Sequence, residues 1–340
     1  MSDAGRVCPL RYRYGAGAIA AVPTRSVKTL YVVGGLYGNR EALRTVLKMH
    51  AREDAARLCF NGDFNWFNVD DESFIAINEK VLAHDAILGN VEAELSAAND
   101  EAGCGCAYPE NVEAATVVRS NQIHARLKQT AARHPQVLAR LDALPMIARY
   151  QVGDVRVGVV HGDADSLAGW RFDVSALDDR ADYVWRAAAF AKAAVDVFAS
   201  SHTCLPAMRS DDDDKIVINN GAAGMPNFTA SNFGVLSRIS TEPSPHPSLY
   251  GCVVRGVHVD ALAIHYDVKK WEAEFLRNWP AQSPAHLSYF GRIANGSDYT
   301  LSVGAGVQCQ LSTADPLHRR EAVPRETPVT PLLLTEGLNQ

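Results

Sequence analysis

Short apolar runs alternate along the first third of the chain with segments that have a helical pattern of apolar residues. One apolar run, 27–33, is followed by two glycines and then by a helical pattern at 40–51. Two more apolar runs, 56–60 and 86–88, flank a second helical pattern at 71–83. Apolar runs of this length predict buried strands, and their alternation with helices predicts an α/β fold.

Strand signals become more frequent after residue 145. The runs Ile147–Val152 and Val155–Val160 are separated by Gly153 and Asp154, which predicts a β-hairpin. An alanine-rich pattern at 186–195 predicts a helix. The pattern also predicts strands at Val197–Ser200, 207–209, 216–219, 251–255 and 261–266, and a last helix at Val268–Asn278.

A change in composition interrupts the alternation after the third predicted strand. Residues 99–109 are rich in Gly, Cys, Asn and Pro, and the helix-rich stretch 112–143 follows them. This arrangement predicts a helical insertion, 99–145, within a domain that spans 28–280.

The remaining segments carry weaker patterns. Residues 1–27 are predicted to form an N-terminal extension, and 304–340, rich in Pro, Thr, Glu and Arg, are predicted to be a disordered tail. Four consecutive aspartates at 211–214 lie between two predicted strands. This position favours a solvent-exposed hairpin tip over a calcium site.

The overall composition narrows the class of protein. The chain has 340 residues, of which 47% are hydrophobic and 21% charged, and these values are typical of a globular protein with a sizeable core. A net charge of -6 argues against nonspecific binding of nucleic acid. Seven scattered cysteines predict a reducing, cytoplasmic setting rather than a disulfide scaffold. No apolar stretch reaches the length of a membrane span.

Polar residues with metal-binding chemistry follow five of the predicted strands. A carboxylate, an amide oxygen and two imidazoles lie among them, and these are donor types that divalent transition metals accept. Each cluster alone is weak evidence, because Gly-Asp and Gly-Asn pairs are common in turns. The clusters are 34–39, 61–63, 89–92, 161–163 and 201–204.

The order of these clusters resembles that of the calcineurin-like metallophosphoesterase superfamily. The family pattern is Asp-x-His-Gly-Asn, Gly-Asp, Gly-Asn-His-Asp/Glu, His-Gly and Gly-His-Thr-His. The resemblance covers roughly 27–276 and includes the stretches 216–221 and 264–268, but no motif covers the insertion. It implies a four-layer α/β/β/α sandwich. It also implies hydrolysis of a small phosphomonoester or phosphodiester by attack of a metal-bound hydroxide.

The resemblance assigns roles to individual residues. Asp63 matches the carboxylate that bridges two metal ions, and Asn90, His161 and His202 match the other protein ligands of the second ion. These four residues are the predicted catalytic group. In addition, the loops at Asn39 and Gly162 are expected near the substrate phosphate, and Arg119, Asn121 and His124 of the insertion are expected to cap the pocket.

The other half of the motif set departs from the family. Gly35, Tyr37 and Cys204 stand where the family has the Asp and two His that hold the first metal. Val91 replaces the histidine that contacts the phosphate and assists the leaving group.

These departures leave three alternatives open. The protein is an enzyme that uses one ion, or an enzyme whose first ion is bound by Tyr37 and Cys204. Cys104 and Cys106 are candidate further sulfur donors, but their spacing favours two loop thiols that share no metal. Otherwise it is an inactive relative that binds a metal or a phosphate-bearing ligand. The cofactor is expected to be one or two ions of Mn, Zn or Fe. A dinucleotide-binding turn at 34–38 matches its fingerprint only in part and is disfavoured.

Overall fold

Two β-sheets form the centre of the molecule, which is described from a computed structural model covering residues 4–98, 101–211, 214–306 and 310–311. In this part of the chain the six-stranded sheet has the order β1-β5-β6-β7-β9-β8, and the seven-stranded sheet has the order β13-β11-β12-β10-β2-β3-β4. The strands are β1 (Thr24–Val27), β2 (Thr29–Val33), β3 (Arg57–Phe60), β4 (Asp85–Ala86), β5 (Ile147–Val152), β6 (Val155–Val160), β7 (Val197–Ser200), β8 (Pro206–Asp211), β9 (Lys215–Asn220), β10 (Gly234–Ser240), β11 (Ser248–Val254), β12 (Val257–Ile264) and β13 (Gln310–Leu311).

Helices lie between these strands in the chain. Two short irregular turns, Leu10–Tyr12 (a 3₁₀ turn) and His286–Phe290 (a π-helical turn), occur outside the α-helices. The α-helices are α1 (Ala16–Ala21), α2 (Arg40–His50), α3 (Asp71–Val81), α4 (Asn90–Ala93), α5 (Ala114–Ala132), α6 (Pro135–Asp142), α7 (Val174–Asp178), α8 (Arg180–Ala193), α9 (Val268–Asn278), α10 (Gly291–Asn295) and α11 (Leu301–Ala305). No helix in the described part combines the length and the apolar character needed to cross a membrane.

Three apolar cores separate four layers. Leu30 and Val32 of β2 pack between the two sheets with residues such as Val157 of β6. Tyr31, the residue between them, faces the opposite side, where helices including α2 and α9 cover the seven-stranded sheet. Phe198 of β7 packs with α1 and α8 on the outer face of the six-stranded sheet. Because successive strand residues point to opposite faces, these contacts give an α/β/β/α sandwich, as predicted.

The apolar run at 27–33 is divided between the two sheets, although its pattern predicts a single strand. β1 ends at Val27 and pairs with β5 of the six-stranded sheet. β2 begins at Thr29 and pairs with β3 and β10 of the seven-stranded sheet. The helix α1 and strand β1 therefore tie the predicted N-terminal extension to the six-stranded sheet. Apolar character alone does not indicate which sheet a strand joins.

Two other elements differ in length from their predictions. The strand predicted at 86–88 is observed as Asp85–Ala86; the N–H of Ile87 still donates to Phe60 of β3, and the N–H of Leu88 donates to Pro145. The helix predicted at 186–195 is α8, which begins earlier because the Asp179 side chain accepts a hydrogen bond from the N–H of Ala181 at 2.8 Å.

Part of the weakly patterned sequence lies outside the described residues. Residues 212–213 of the predicted aspartate tip and 312–340 of the predicted tail belong to this group. Within 304–311 the structure describes the end of α11 and the strand β13, which pairs with β11. The predicted insertion contains α5 and α6.

Candidate metal centre

Four polar side chains from the carboxyl ends of different strands meet in the interior. Asp63 follows β3, Asn90 begins α4 after β4, His161 follows β6, and His202 follows β7. The donor atoms of Asp63, His161 and His202 all lie within 4.8 Å of one another. All four side chains are buried. The structure thus brings together the four residues that the motifs predict as one group.

Backbone carbonyls fix the orientation of both imidazoles. His161 Nδ1 lies 2.8 Å from the carbonyl oxygen of Asn61, and His202 Nε2 lies 3.1 Å from that of Cys106. A carbonyl oxygen only accepts hydrogen bonds, so both of these nitrogens carry a hydrogen. In the neutral imidazoles, the lone pairs of His161 Nε2 and His202 Nδ1 therefore face the centre of the group.

Three acceptor atoms surround His161 Nε2, and this nitrogen is the fourth acceptor of the group. It lies 3.2 Å from His202 Nδ1, 3.0 Å from Asn90 Oδ1 and 3.3 Å from Asp63 Oδ1. The Asn90 amide nitrogen donates to the carbonyl of Cys104 at 2.9 Å, which keeps its oxygen turned to the group. Acceptors this close repel one another unless a proton or a cation lies among them.

The spacing of these atoms fits a divalent ion. Ligand atoms about 2.1 Å from a tetrahedral ion lie about 3.4 Å from one another. Two imidazole nitrogens, a carboxylate and an amide oxygen, with carbonyls holding both histidines, form a chemically suitable ligand set for such an ion.

The buried environment also sets the charges of the group. Burial and the neighbouring charge of His161 lower the pKa of His202 to about 3, so its imidazole is neutral. Burial opposes the charged forms of Asp63 and His161, but their mutual attraction dominates: the pKa of Asp63 is lowered and that of His161 is raised. Because the pKa of His161 is raised, a bound ion would compete with a proton for this imidazole.

Glu92 supports the loop that carries Asp63. Its buried carboxylate accepts hydrogen bonds from the N–H groups of Asp63 at 2.8 Å and Asn65 at 3.1 Å. In return, Asp63 Oδ1 accepts from the N–H of Val91 at 3.1 Å. Burial and the charge of Asp63 raise the pKa of Glu92 to about 7. The sequence analysis assigns Glu92 no role, although its acidic place in the 89–92 motif is a signal for one.

Tyr37 and Cys204, which the resemblance aligns with two ligands of the first family metal, bond to each other. The Tyr37 hydroxyl lies 2.8 Å from Cys204 Sγ. A Cβ atom added to Gly35 would lie 2.9 Å from Cζ of the Tyr37 ring. The three departures from the family are therefore one packed unit, in which glycine makes room for the ring. Burial raises the pKa of both Tyr37 and Cys204, which favours a neutral phenol and thiol. Their metal binding stays a prediction.

The loop that enters the insertion contributes mainly backbone carbonyls. Cys106 lines the cavity, and its Sγ accepts a hydrogen bond from the Asn90 amide at 3.5 Å. The carbonyl of Cys106 accepts from both His202 and Trp170. Cys104 is buried and orients Asn90 through its carbonyl.

Both residues expected near the phosphate have structural contacts. Asn39 caps α2 by accepting from the N–H of Ala42 at 2.9 Å, and its amide donates to the carbonyl of Gly224 at 2.9 Å. A Cβ at Gly162 would lie 2.5 Å from backbone atoms of 166–169, so this glycine permits tight packing of a loop. Neither residue lines the cavity beside the donor group, and their contact with substrate stays a prediction.

The residues of α5 that were expected to cap the pocket do not line it either. His124 lies 3.0 Å from the carbonyl of Val91, Asn121 binds backbone atoms of Ala4 and Cys104, and Arg119 donates to Ser288. These contacts use the side chains to hold neighbouring segments. The insertion instead reaches the cavity through Cys106 and Tyr108.

The cavity itself is small and largely aromatic. Its volume of about 30 Å³ is room for one or two water-sized groups. Asp63, Asn90 and His202 line it beside the Tyr37–Cys204 pair. Its aromatic walls are Trp66, Tyr108, Trp170 and Tyr289.

Solved structures with a similar fold carry the same architecture at low sequence identity. A metallophosphoesterase from Sphaerobacter thermophilus is 16% identical, with a TM-score of 0.52 over 80% of this chain and 100% of its own. A hypothetical protein from Pyrococcus horikoshii is 14% identical, with a TM-score of 0.53 over 79% of this chain and 99% of its own. No protein-family model and no curated protein matches the sequence. The fold predicted from the motifs is confirmed, and the chain has the α/β/β/α fold of the metallophosphoesterases.

Proposed function

We propose that the protein is a phosphoesterase that uses one divalent transition-metal ion. The observation that carries this proposal is the set of three acceptor atoms, from Asp63, Asn90 and His202, that lie 3.0–3.3 Å from His161 Nε2. Asp63, Asn90, His161 and His202 would hold the ion. Their mixed nitrogen and oxygen donors suit Mn, Zn or Fe.

The contribution of the chain is to hold these groups in place and to limit water. When bound, a divalent ion polarises a phosphoryl oxygen and lowers the pKa of a water molecule. Glu92 holds the Asp63 loop by accepting hydrogen bonds from the 63–65 backbone. The carbonyl of Cys104 holds the amide of Asn90. The aromatic walls keep the site poorly hydrated, which strengthens electrostatic interactions with the phosphate.

A single ion is favoured because of the packing around Tyr37. The phenol ring lies against Gly35 and bonds to Cys204, so it fills the space where the family pattern has a carboxylate and imidazoles. Val91, which lines the cavity, offers no acid for the leaving group. The proposed enzyme is therefore best suited to esters whose leaving group departs without protonation.

The test combines metal content with hydrolysis. Protein purified without chelator should carry close to one ion per chain and hydrolyse bis-p-nitrophenyl phosphate. Asp63→Asn and His161→Ala should each lower the rate by at least about 100-fold and lose the ion. His258→Ala, on β12 away from the donor group, is the matched control and should retain both.

Two outcomes would contradict the proposal. Wild-type protein that binds no Mn, Zn or Fe when these are supplied in excess has no such site. Hydrolysis that persists undiminished in Asp63→Asn belongs to a contaminant. Binding of one ion without any hydrolysis would favour the second candidate function, a metal- or phosphate-binding protein, which the missing acid at Val91 also allows.

A further inference from the structure

The aromatic wall at Trp170 is attached to the metal-binding group. The indole Nε1 of Trp170 donates to the carbonyl of Cys106 at 3.0 Å, and the same carbonyl accepts from His202 Nε2 at 3.1 Å. The Trp170 and His202 rings are nearly perpendicular, at 70°, with centroids 5.0 Å apart. Tyr108 lies beside Trp170, with centroids 5.9 Å apart. An aromatic surface is therefore held next to the donor atoms.

A second aromatic pair lines the same cavity. Trp66 and Tyr289 have ring centroids 6.4 Å apart and an interplanar angle of 83°. Trp66 follows the Asp63 loop, whereas Tyr289 belongs to the π-helical turn His286–Phe290. Trp66 is buried, whereas Tyr289 and Trp170 are partly exposed.

No lysine or arginine lines this cavity in the described part of the chain. Arg292, whose charge acts on Tyr37 and Cys204, donates to carbonyl oxygens through its Nε and Nη2 groups. It donates to the backbone of Pro226 at 2.7 Å and of Cys204 at 2.8 Å, and to Asn227 Oδ1 at 3.2 Å. Arg292 therefore acts on the cavity through its charge, and the ion would be the direct partner of a bound phosphate.

The charge balance distinguishes two classes of phosphoester. A divalent ion and Arg292 supply three positive charges, and the carboxylates of Asp63 and Glu92 supply two negative charges, so the net charge around the cavity is about +1. This charge balances one negative charge, which is the charge of a phosphodiester. A phosphomonoester dianion would leave a further charge uncompensated in a poorly hydrated cavity, and burial of an unpaired charge is costly.

We infer that the site takes a phosphodiester monoanion that carries an aromatic ester group. This inference rests on the proposed metal-dependent function and names its substrate class. The cavity is small, so only the phosphate end reaches the donor group. The aromatic ester group then packs against the faces of Trp170 and Tyr289, since stacked aromatic rings contribute beyond their buried area.

Equilibrium binding tests the inference without requiring turnover. Isothermal titration calorimetry of the Mn-loaded protein would compare diphenyl phosphate, dimethyl phosphate and phenyl phosphate at about pH 8. Phenyl phosphate is a dianion there, because the second pKa of a phosphomonoester is about 6. Diphenyl phosphate should bind at least about tenfold more tightly than either of the other two.

Variants at the aromatic walls distinguish the contribution of ring stacking from other contributions to binding. Trp170→Ala should weaken diphenyl phosphate about tenfold and leave dimethyl phosphate unchanged, whereas Trp170→Phe should retain most of the affinity. Tyr289→Leu gives a second test at a residue that shares no carbonyl with His202. Tyr183→Ala, a partly exposed aromatic residue on α8, is the control. The metal content of each variant verifies that the donor group is intact.

The outcomes distinguish this inference from the proposed function. Phenyl phosphate binding as tightly as diphenyl phosphate would overturn the inference. The inference would also be overturned if Trp170→Ala and Tyr289→Leu each lowered the affinities for diphenyl and dimethyl phosphate equally. Selective binding of diphenyl phosphate without hydrolysis of bis-p-nitrophenyl phosphate would support the inference and overturn the proposed hydrolysis. Equal hydrolysis of mono- and diesters without selective binding would leave only the proposed function.

Discussion

Glu92 and Asp63 form a reciprocal clamp between the two loops that supply oxygen donors. Each carboxylate accepts a hydrogen bond from the backbone of the other loop. Asp63 has a φ of 54°, in the left-handed region that a residue with a side chain rarely adopts. The surroundings of Asp63 therefore hold it in this strained conformation. Glu92 contributes by accepting hydrogen bonds from the N–H groups of Asp63 and Asn65.

Glu92→Gln should weaken metal binding without unfolding the protein. Both carboxylate oxygens of Glu92 accept from N–H groups, so a glutamine must turn its own N–H₂ group toward one of these donors. Loss of such a supporting contact lowers metal affinity by about 10- to 100-fold. Competition with a chelator of known affinity measures the change. Glu101→Gln, an exposed glutamate, is the control, and an unchanged affinity in Glu92→Gln would contradict the clamp.

At this scale the sequence predicts which donor residues come together but not what supports them. Asp63, Asn90, His161 and His202 can be identified because each follows a strand end, and parallel strands place their carboxyl ends along one edge. The packing of Tyr37 on Gly35 has no sequence signature, because it depends on which way one ring turns.

Among the elements, the amino-terminal ends of β7 and β9 carry a charge network on the side away from the metal site. Asp196 is almost fully buried, with 1% of its side chain exposed. Its carboxylate accepts from Arg156 at 3.0 Å, Lys215 at 2.8 Å and Arg255 at 2.9 Å. Arg255 belongs to the turn between β11 and β12, so the network connects the two sheets.

Asp196→Asn should destabilise the protein at neutral pH by about 2 kcal/mol, a moderate value because solvent screens the partly exposed arginines. Burial opposes ionisation, but the bonds from Arg156 and Lys215 hold the pKa of Asp196 well below its ordinary range. A lowered pKa stabilises the fold above the ordinary pKa of about 4, and this contribution is lost as the pH falls below it.

Urea unfolding at neutral and acidic pH measures this effect. The difference in unfolding free energy between wild type and Asp196→Asn should shrink as the pH is lowered. Asp154→Asn, in the exposed turn between β5 and β6, should match wild type at both values. A difference that is independent of pH would mean that the charge of Asp196 does not contribute.

The boundaries of elements follow the sequence where a pattern and its flanking signals agree. Val197–Ser200 and Val268–Asn278 have the predicted ends, and the hairpin of β5 and β6 is confirmed. The run at 27–33 is the contrary case. Its two halves are both strands, but long-range pairing with β5 and with β10 decides where each belongs, and this information lies far away in the chain.

For the whole molecule, a metal ion would act as a cross-link between the two sheets. Asp63 and Asn90 follow strands of the seven-stranded sheet, whereas His161 and His202 follow strands of the six-stranded sheet. Any ion that binds all four joins loops that are otherwise held by the apolar core between the sheets. Binding to the folded state alone must then stabilise it.

Removal of the ion should therefore lower the Tm of the whole protein. At a free metal concentration about 100 times the Kd, binding contributes about 2.7 kcal/mol, which corresponds to a few degrees in Tm. Calorimetry with excess Mn and then with EDTA should show this shift in wild type and not in Asp63→Asn. A Tm that is insensitive to EDTA, in protein shown to lose its ion, would mean that the ion does not connect the sheets.

The packing of Tyr37 on Gly35 also restricts the order in which this site could have changed, or could be changed back. An aspartate at position 35 places its Cβ 2.9 Å from the Tyr37 ring, so it is poorly tolerated while the ring is present. Replacing Tyr37 first leaves the thiol of Cys204 without this partner and removes the contact with the ring, although the Gly221 carbonyl oxygen remains 3.0 Å from an added Cβ. A side chain at position 35 is therefore expected to cost less after replacement of Tyr37 than before it, so substitutions at the two positions should show epistasis.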